Sequence, residues 1–315
     1  MELYIYSGFD QLPSIDFDCL RIAAYVKFKE IPVKISTNGN PHHSPTGFLP
    51  YLKDDNKIVA GYDEIIEFFR SKGFGSGDFI SASYEAYFEF QFLPYFRYVL
   101  FGDPNNADTT RILYAKRTPF PFNFVYPQKY IKQTSEFLKI VANFSIEDKL
   151  IHHNTADMIL NAKKYINMLT ERIDKKRWFF GGQKPNEFDA TIYAAISILL
   201  NLQLPINDLK SHITECPNLV NYIDRIRKKY LMDIRVGESE PNPAIFNRVQ
   251  NVFINKEKGT LSNAVVKTMF GFLTVGAMVF FAISHGILEI VTDDNDNDNA
   301  QYYGDDDDSE TFGDE

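Results

Sequence analysis

The sequence predicts an α+β body, a small strand-and-helix domain followed by an all-helical one, with a membrane-spanning helix behind it. Three observations carry this expectation. The first 75 residues alternate short strand-like and helix-like runs, and residues 81–230 then keep a helical period almost throughout. Thr268–Leu288 is a run of 21 residues without Asp, Glu, Lys or Arg. At ~1.5 Å of rise per residue that run makes a helix of about 31 Å, close to the ~30 Å hydrocarbon thickness of a bilayer.

Leu3–Ser7 reads as a strand from its Tyr and Ile content. Ile15, Cys19, Ile22, Ala23 and Val26 recur at helical spacing and give a helix to about Lys29, which Pro32 stops. Val33–Ser36 is a second strand and Asn38–Thr46 a loop. Phe48–Leu52 leads into a third strand, and Lys57–Ala60 forms a fourth. Asp63–Lys72 sets Ile65, Ile66, Phe68 and Phe69 against Glu64, Glu67 and Arg70, a second helix. The order is β-α-β, then β-β-α.

The helical part divides into Ser81–Leu100, Asp108–Thr118, Gln128–Asn143, Ile146–Lys175, Phe188–Leu204 and Asn218–Tyr230. Ser145 and Asp148 have the spacing of an N-cap and its N3 partner, and Asn186 and Asp189 repeat it. In the second pair Asn186 accepts from the first-turn backbone, Asp189 reaches back to the Asn186 N–H, and loss of such a cap costs about 1 kcal/mol. A second charge-free run, Ala190–Asn207, carries Tyr193, Ser197, Asn201 and Gln203, too polar for lipid and suited to a protein core. The expected organisation is a strand-and-helix domain at 1–75, an all-helical domain at 80–230, a linker at 231–267 with a short helix near Ala244–Phe253, the span at 268–288 and an acidic disordered tail at 289–315.

Ten residues of the span are Leu, Ile, Phe or Val, together worth roughly −3 to −6 kcal/mol of insertion. His285 and three glycines offset part of that. Lys256, Lys258 and Lys267 precede the span and no Lys or Arg follows it, so the body is expected in the cytosol with the tail across the membrane. No signal peptide is expected, because Met1 runs into Glu2 and the first strand-like segment. The flanks leave the organelle open. Formal charge is −9, but residues 292–315 alone hold nine Asp and two Glu, or −11, which leaves about +2 for the rest. A nearly neutral body speaks against nucleic acid, and the tail repels itself and has little to bury. Cys19 and Cys216 make no disulfide framework and fit a reducing compartment. Aromatic residues crowd into Tyr84–Phe101 and Phe120–Tyr130, where a thick core and a partner surface are the competing readings.

The β-α-β-β-β-α start is a thioredoxin-like arrangement, and with the helices behind it the chain resembles the glutathione transferase fold over residues 3 to about 230. Leu49-Pro50 stands where that fold places a cis-proline. Trp178-Phe179-Phe180-Gly181-Gly182 ahead of Asn186-x-x-Asp189 resembles the capping motif of its central helix. Leu12-Pro13-Ser14-Ile15-Asp16, Ser44-Pro45-Thr46-Gly47-x-Leu49-Pro50 and Pro119-Phe120-Pro121-Phe122-Asn123-Phe124 are together similar to metaxins. The span and acidic end match the membrane-anchored kind. The resemblance implies a protein of the mitochondrial outer membrane that acts in protein import and in assembly of β-barrel proteins. It implies as partners a second, soluble metaxin and an outer-membrane β-barrel assembly protein, besides the lipid bilayer that Thr268 and Leu288 bound. It also implies a link to mitochondrial transport along microtubules.

A glutathione transferase needs a Tyr, Ser or Cys after its first strand to support the thiolate, and a Glu/Gln-Ser pair before the helix after strand four. Tyr6 and Ser7 keep the first requirement open. Gly61-Tyr62-Asp63 stands at the second, with no side chain at Gly61 and too large a one at Tyr62. The expectation is a non-enzymatic protein without cofactor or metal. A membrane-tethered glutathione-dependent transferase and a mitochondrial transport adaptor are the alternatives. Pro50, Asn186 and Asp189 are structural, and Phe120, Phe122 and Phe124 on a proline-broken backbone form the expected partner surface. His42-His43 and His152-His153 point apart as adjacent pairs and lack completing ligands. Asp294-x-Asp296-x-Asp298 starts like a calcium loop but has Asn299 at the turn and Asp305 at the last position. Cys19 belongs to the core face of its helix. Ala282-x-x-x-Gly286 offers a packing notch in the span.

Overall fold

The structure, a computed structural model, describes residues 1–75, 79–141, 151–173 and 177–234. The chain opens with β1 (Glu2–Tyr4), α1 (Phe17–Phe28), β2 (Lys34–Ser36), β3 (Tyr51–Asp54), β4 (Lys57–Ala60) and α2 (Tyr62–Ser71). The strands lie in the order β2-β1-β3-β4. β1 pairs in parallel with β2 (Leu3 opposite Ile35) and antiparallel with β3 (Leu3 opposite Leu52). A parallel pair needs a crossover, and α1 supplies it. β3 and β4 form a hairpin, Leu52 opposite Val59, that turns through Asp55 at φ 50°, a conformation Asp tolerates better than most residues.

β1 ends at Tyr4, three residues short of the expected Ser7, although Ile5 N–H still reaches Ser36 O at 2.9 Å. Beyond it Phe9 and Leu12 bond each other across a tight turn, which leads the chain away from the sheet toward α1. The expected loop at 38–46 contains a short 3-10 turn, Pro41–His43, whose first turn Asn40 caps by accepting from His42 N–H at 3.0 Å.

All elements beyond α2 are helical among the described residues: α3 (Phe79–Gln91), α4 (Leu93–Arg97), α5 (Pro104–Ala115), α6 (Tyr126–Val141), α7 (Ile151–Ile173), α8 (Glu187–Asn201), α9 (Asp208–Thr214) and α10 (Pro217–Ile226). Ser81–Leu100 is therefore not one helix. Pro94, with no N–H to donate, starts α4 afresh, and the chain then widens into a π turn over Tyr98–Gly102. α5 begins four residues earlier than Asp108 because Asp103 caps it, accepting from Asn105 and Asn106 N–H at 2.9 and 3.3 Å, with Pro104 in the first position. Pro127 does not break the backbone; it sits in the first turn of α6, where its missing N–H costs nothing. Only Pro119 and Pro121 keep the preceding segment irregular.

α8 is buried from Phe188 through Leu199, as a helix without charge in its interior turns must be. It lies along α1, itself buried from Cys19 to Val26. Around this pair Phe88, Phe92 and Tyr165 form a fully buried aromatic group with ring centres 5.4–5.9 Å apart. Each such side chain contributes roughly 1.5–3 kcal/mol of burial. α8 ends at Asn201 rather than Leu204. Asn106 then fastens the onward chain, donating to Ile206 O at 2.6 Å and accepting from Ile206 N–H at 2.9 Å. Among the described residues no helix is long and apolar enough to cross a membrane. Thr268–Leu288, Ala244–Phe253, the Ser145/Asp148 pair and the acidic tail all lie outside the described residues.

Candidate functional site

The place where a transferase would support a thiolate is filled with protein. Tyr6 follows β1, and its ring is wholly buried against Tyr114 (centres 5.1 Å, edge-on) and Tyr130 (6.3 Å). Burial drives its hydroxyl pKa well above the ordinary value, only partly offset by the Tyr130 hydroxyl. Ser7 is buried as well. Arg117, from the chain after α5, closes the turn from above, donating to Ser7 O at 3.2 Å and to Gly8 O at 3.1 and 2.7 Å. Next to Tyr6 lies Asp16, the N-cap of α1. It accepts from Cys19 N–H and from the Tyr114 hydroxyl, both at 3.0 Å. Burial holds its carboxyl up at about 7, with the neighbouring Asp18 charge adding to the effect. Cys19 is inside the core, and burial pushes its thiol up too. Tyr6, Ser7, Cys19 and Tyr114 are thus all buried.

The second half of the transferase-like site is also occupied. Gly61 opens α2 at φ 97° and donates its N–H to Pro50 O at 3.1 Å. The Leu49–Pro50 bond is cis, and both residues are buried at the head of β3. Tyr62 turns inward, its ring 3.6 Å beneath the Arg21 guanidinium and its hydroxyl donating to Glu187 at 3.2 Å. Arg21 pairs with Glu85 (3.0 Å), which accepts from Thr191 (2.6 Å), and Arg70 pairs with Glu187 (2.7 Å). These pairs join α1 and α2 to α3 and α8, although Arg21 Nε and Arg70 Nε find no acceptor among the described residues. A buried network of this kind specifies an arrangement more than it stabilises it.

Asn186 and Asp189 form a capping box. Asp189 N–H donates to Asn186 Oδ1 (3.0 Å) and Asn186 N–H to Asp189 Oδ2 (2.7 Å). Asp189 is buried, and it also accepts from Phe179 N–H (2.9 Å) and from the Tyr222 hydroxyl. Burial raises its carboxyl pKa, with Tyr222 opposing. One carboxylate thus ties α8, the Trp178–Gly181 turn and α10 together.

Phe120 and Phe124 lie outside the core. Each is 70% exposed, and their rings meet edge-on at 6.1 Å. Phe122 is half-buried and stacks flat on His42 of the 3-10 turn (4.1 Å, 14°), beside Tyr126, whose hydroxyl lies 3.4 Å from His42 Nδ1. The Phe120–Pro121 bond is cis. The two proline-bearing segments, Pro41–Gly47 and Pro119–Phe124, therefore form one corner, anchored by Phe122 and topped by two bare rings. The other aromatic run divides: Phe88, Phe92 and Phe96 enter the core, whereas α3 leaves Phe79 (85%), Phe90 (69%), Ile80 and Tyr87 exposed. The apolar positions of α3 run round the helix rather than along one side, so the sequence did not show which of them face out. Patches of this kind mark interaction sites. Among the described residues no His, Cys, Asp and Glu group forms a metal site. The His152 and His153 side chains and the Asp294–Asp298 run lie outside what the structure describes.

Residues 19–131 match a family model described as outer mitochondrial membrane transport complex protein, and residues 162–226 match one for the glutathione S-transferase C-terminal domain. A metaxin-1 homolog from Drosophila melanogaster is 42% identical over 234 residues, covering 72% of this chain and 71% of that protein. Metaxin-1 of Mus musculus is 29% identical over 92% of both chains, and metaxin-3 of Xenopus laevis 26% identical over 83% of this chain and 87% of its own. A solved glutathione transferase of Phanerochaete chrysosporium, GSTFuA3, aligns at 11% identity and a TM-score of 0.47, over 74% of this chain and 98% of its own. The likeness to the Drosophila protein spans more than two thirds of each chain, and the chain belongs to the metaxin family.

Proposed function

We propose that this protein is a non-enzymatic subunit of the protein import and β-barrel assembly machinery of the mitochondrial outer membrane. The observation that carries the reading is the closed site. The residues on which glutathione chemistry would depend are buried or paired with each other, in a chain whose family model is described as a transport-complex protein. A fold kept without its pocket is a scaffold for contacts. The exposed rings of Phe120 and Phe124, held up by Phe122 on His42, are the surface for a second, soluble metaxin. A β-barrel assembly protein of the same membrane is the other partner.

The domain division completes the proposal: a sheet domain to residue 75, helices from 80 to 230, a linker at 231–267, an anchor from Thr268 to Leu288, and an acidic tail at 289–315. The Lys residues before the anchor support a cytosolic body and a tail in the intermembrane space. Carbonate washing of isolated mitochondria tests the anchor, with the full-length chain expected in the pellet and a chain lacking 268–315 in the wash. Glutathione-resin binding with a conjugation assay on the full-length chain tests the closed site. Retention with turnover would make the protein a membrane-tethered transferase instead.

A further inference from the structure

The described chain ends on a basic face that none of the above uses. Arg177, Arg225 and Lys229 each bring their charge to 5.6 Å from the ring of one buried residue, Trp178. Arg225 donates to the Arg177 backbone O at 2.9 Å, which holds the two residues side by side, and its Nε–H has no acceptor among the described residues. Arg225, Lys228 and Lys229 line a shallow, open depression of about 430 Å³ with Asn221 and Asp224. The one carboxylate in that lining, Asp224, is engaged by Arg227 at 3.3 Å. Arg177, Lys228 and Lys229 are exposed and have no ion pair among the described residues. Three cations gathered round one ring, with Lys228 beside them, repel each other, and the nearby carboxylates are already paired, Glu30 with Lys184 and Asp224 with Arg227.

We propose that this face docks on the anionic headgroups of the membrane to which the chain is tethered. The inference rests on the anchoring given under Proposed function and adds an orientation to it. Lys228 and Lys229 lie on the final turn, Arg227–Leu231, directly before the described chain ends at Ile234. Thirty-three residues, 235–267, separate that point from the anchor. Under the proposed anchoring, this end of the body is nearer to the bilayer along the chain than any other described part. The depression is wide and shallow, which suits a layer of phosphates rather than one deep-seated ligand, and juxtamembrane Lys and Arg are drawn to an anionic leaflet.

The test is lysine acetylation footprinting of the full-length chain in vesicles, read by mass spectrometry. One set of vesicles is phosphatidylcholine alone; the other adds roughly 30% phosphatidylglycerol, whose charge attracts nearby Lys and Arg. Lys228 and Lys229 should react at least about fivefold more slowly in the anionic vesicles, with Lys132 on α6 unchanged. About 1 M salt, which shortens screening to ~3 Å, should abolish the difference. Lys184, whose partner Glu30 (2.8 Å) also feels the Lys229 charge, should be protected in the parent and lose that protection in the Lys228→Glu/Lys229→Glu variant. The salt arm needs no variant, so a misfolded variant does not rescue the idea. Equal rates in both vesicles overturn the docking while leaving the anchor intact. Protection that is equal in neutral vesicles and vanishes on deleting 289–315 overturns it in favour of the chain's own acidic end. Failure of the chain to float with either vesicle overturns the anchor and this inference together.

Discussion

Replacing Asp16 by Asn tests the buried seam between α1 and α5. Asn caps a helix about as well as Asp through its Oδ1, and its Nδ2 then donates to the Tyr114 hydroxyl, so the substitution removes the charge and reverses one hydrogen bond. In the folded protein burial holds the Asp16 carboxyl at about 7, against an ordinary 3.8. The folded state thus binds this proton more tightly than the unfolded one. The group's stabilising contribution is complete below pH ~4 and is lost as the pH rises through 7. The whole difference corresponds to about 4 kcal/mol, more than half of it falling between pH 5 and 8. Asp18, Glu85 and Asp189 are raised by burial as well and overlie the same slope, so the comparison must be between the variant and the parent. Trp178 is the chain's one tryptophan and is buried, which makes its fluorescence a clean reporter of urea unfolding in detergent. From pH 5 to pH 8 the parent should lose roughly 2–3 kcal/mol more stability than Asp16→Asn. Parallel pH profiles would refute the account of a carboxyl sealed behind Tyr114.

Three further outcomes are expected. Asp189→Ala leaves the Asn186 and Phe179 N–H groups and the Tyr222 hydroxyl without their acceptor; it should cost about 3–5 kcal/mol, against about 1 for Asn186→Ala, and calorimetry giving equal losses would contradict the three-way tie. Phe120→Ser/Phe124→Ser replaces two rings that the core does not use, so thermal stability should hold within about 0.5 kcal/mol while co-purification of the second metaxin collapses; unchanged co-purification would remove the corner as a docking site. Tyr6→Phe keeps the buried ring and deletes only a hydroxyl closed off from solvent, so glutathione conjugation by the full-length chain should sit at the uncatalysed background before and after, and a rate that falls on substitution would show an open site.

How much of this was legible in the sequence follows from what kind of signal each part gives. The four strands, α1 and α2 showed themselves through composition and spacing; α2 buries Tyr62, Ile65, Ile66 and Phe69 and exposes Asp63, Glu64 and Glu67, whereas α1 is buried from Cys19 to Val26 and was read from its apolar spacing alone. α8 was plain for the opposite reason: a helix with no charged residue in its interior turns has nowhere to go but inside. The capping box was readable because Asn186 and Asp189 are three apart, but the third and fourth bonds of Asp189, to Phe179 and Tyr222, join residues up to 33 apart and leave no local trace. Pro94 and the Asp103-Pro104 start of α5 were present as signals and were outweighed by the apolar run around them. α9 is too short for a period. The closure of the site was half legible. Gly61-Tyr62 gave away the lost acceptor, yet the plug over Tyr6 comes from Tyr114, Arg117 and Tyr130, more than a hundred residues on, and only folding brings them there. The basic face round Trp178 is similarly assembled from two segments some fifty residues apart, in a body whose net charge is close to zero.

The central claim is that a transferase-shaped body without a working pocket serves as a membrane-bound assembly subunit. Its most direct test is immunocapture of the full-length chain from mitochondria solubilised in mild detergent, with quantitative mass spectrometry of what accompanies it. The account predicts a second metaxin and an outer-membrane β-barrel assembly protein at amounts comparable to the chain itself, both lost on Phe120→Ser/Phe124→Ser or weakened to the barrel alone. A chain recovered by itself, in amounts that leave neither companion above background, would contradict it.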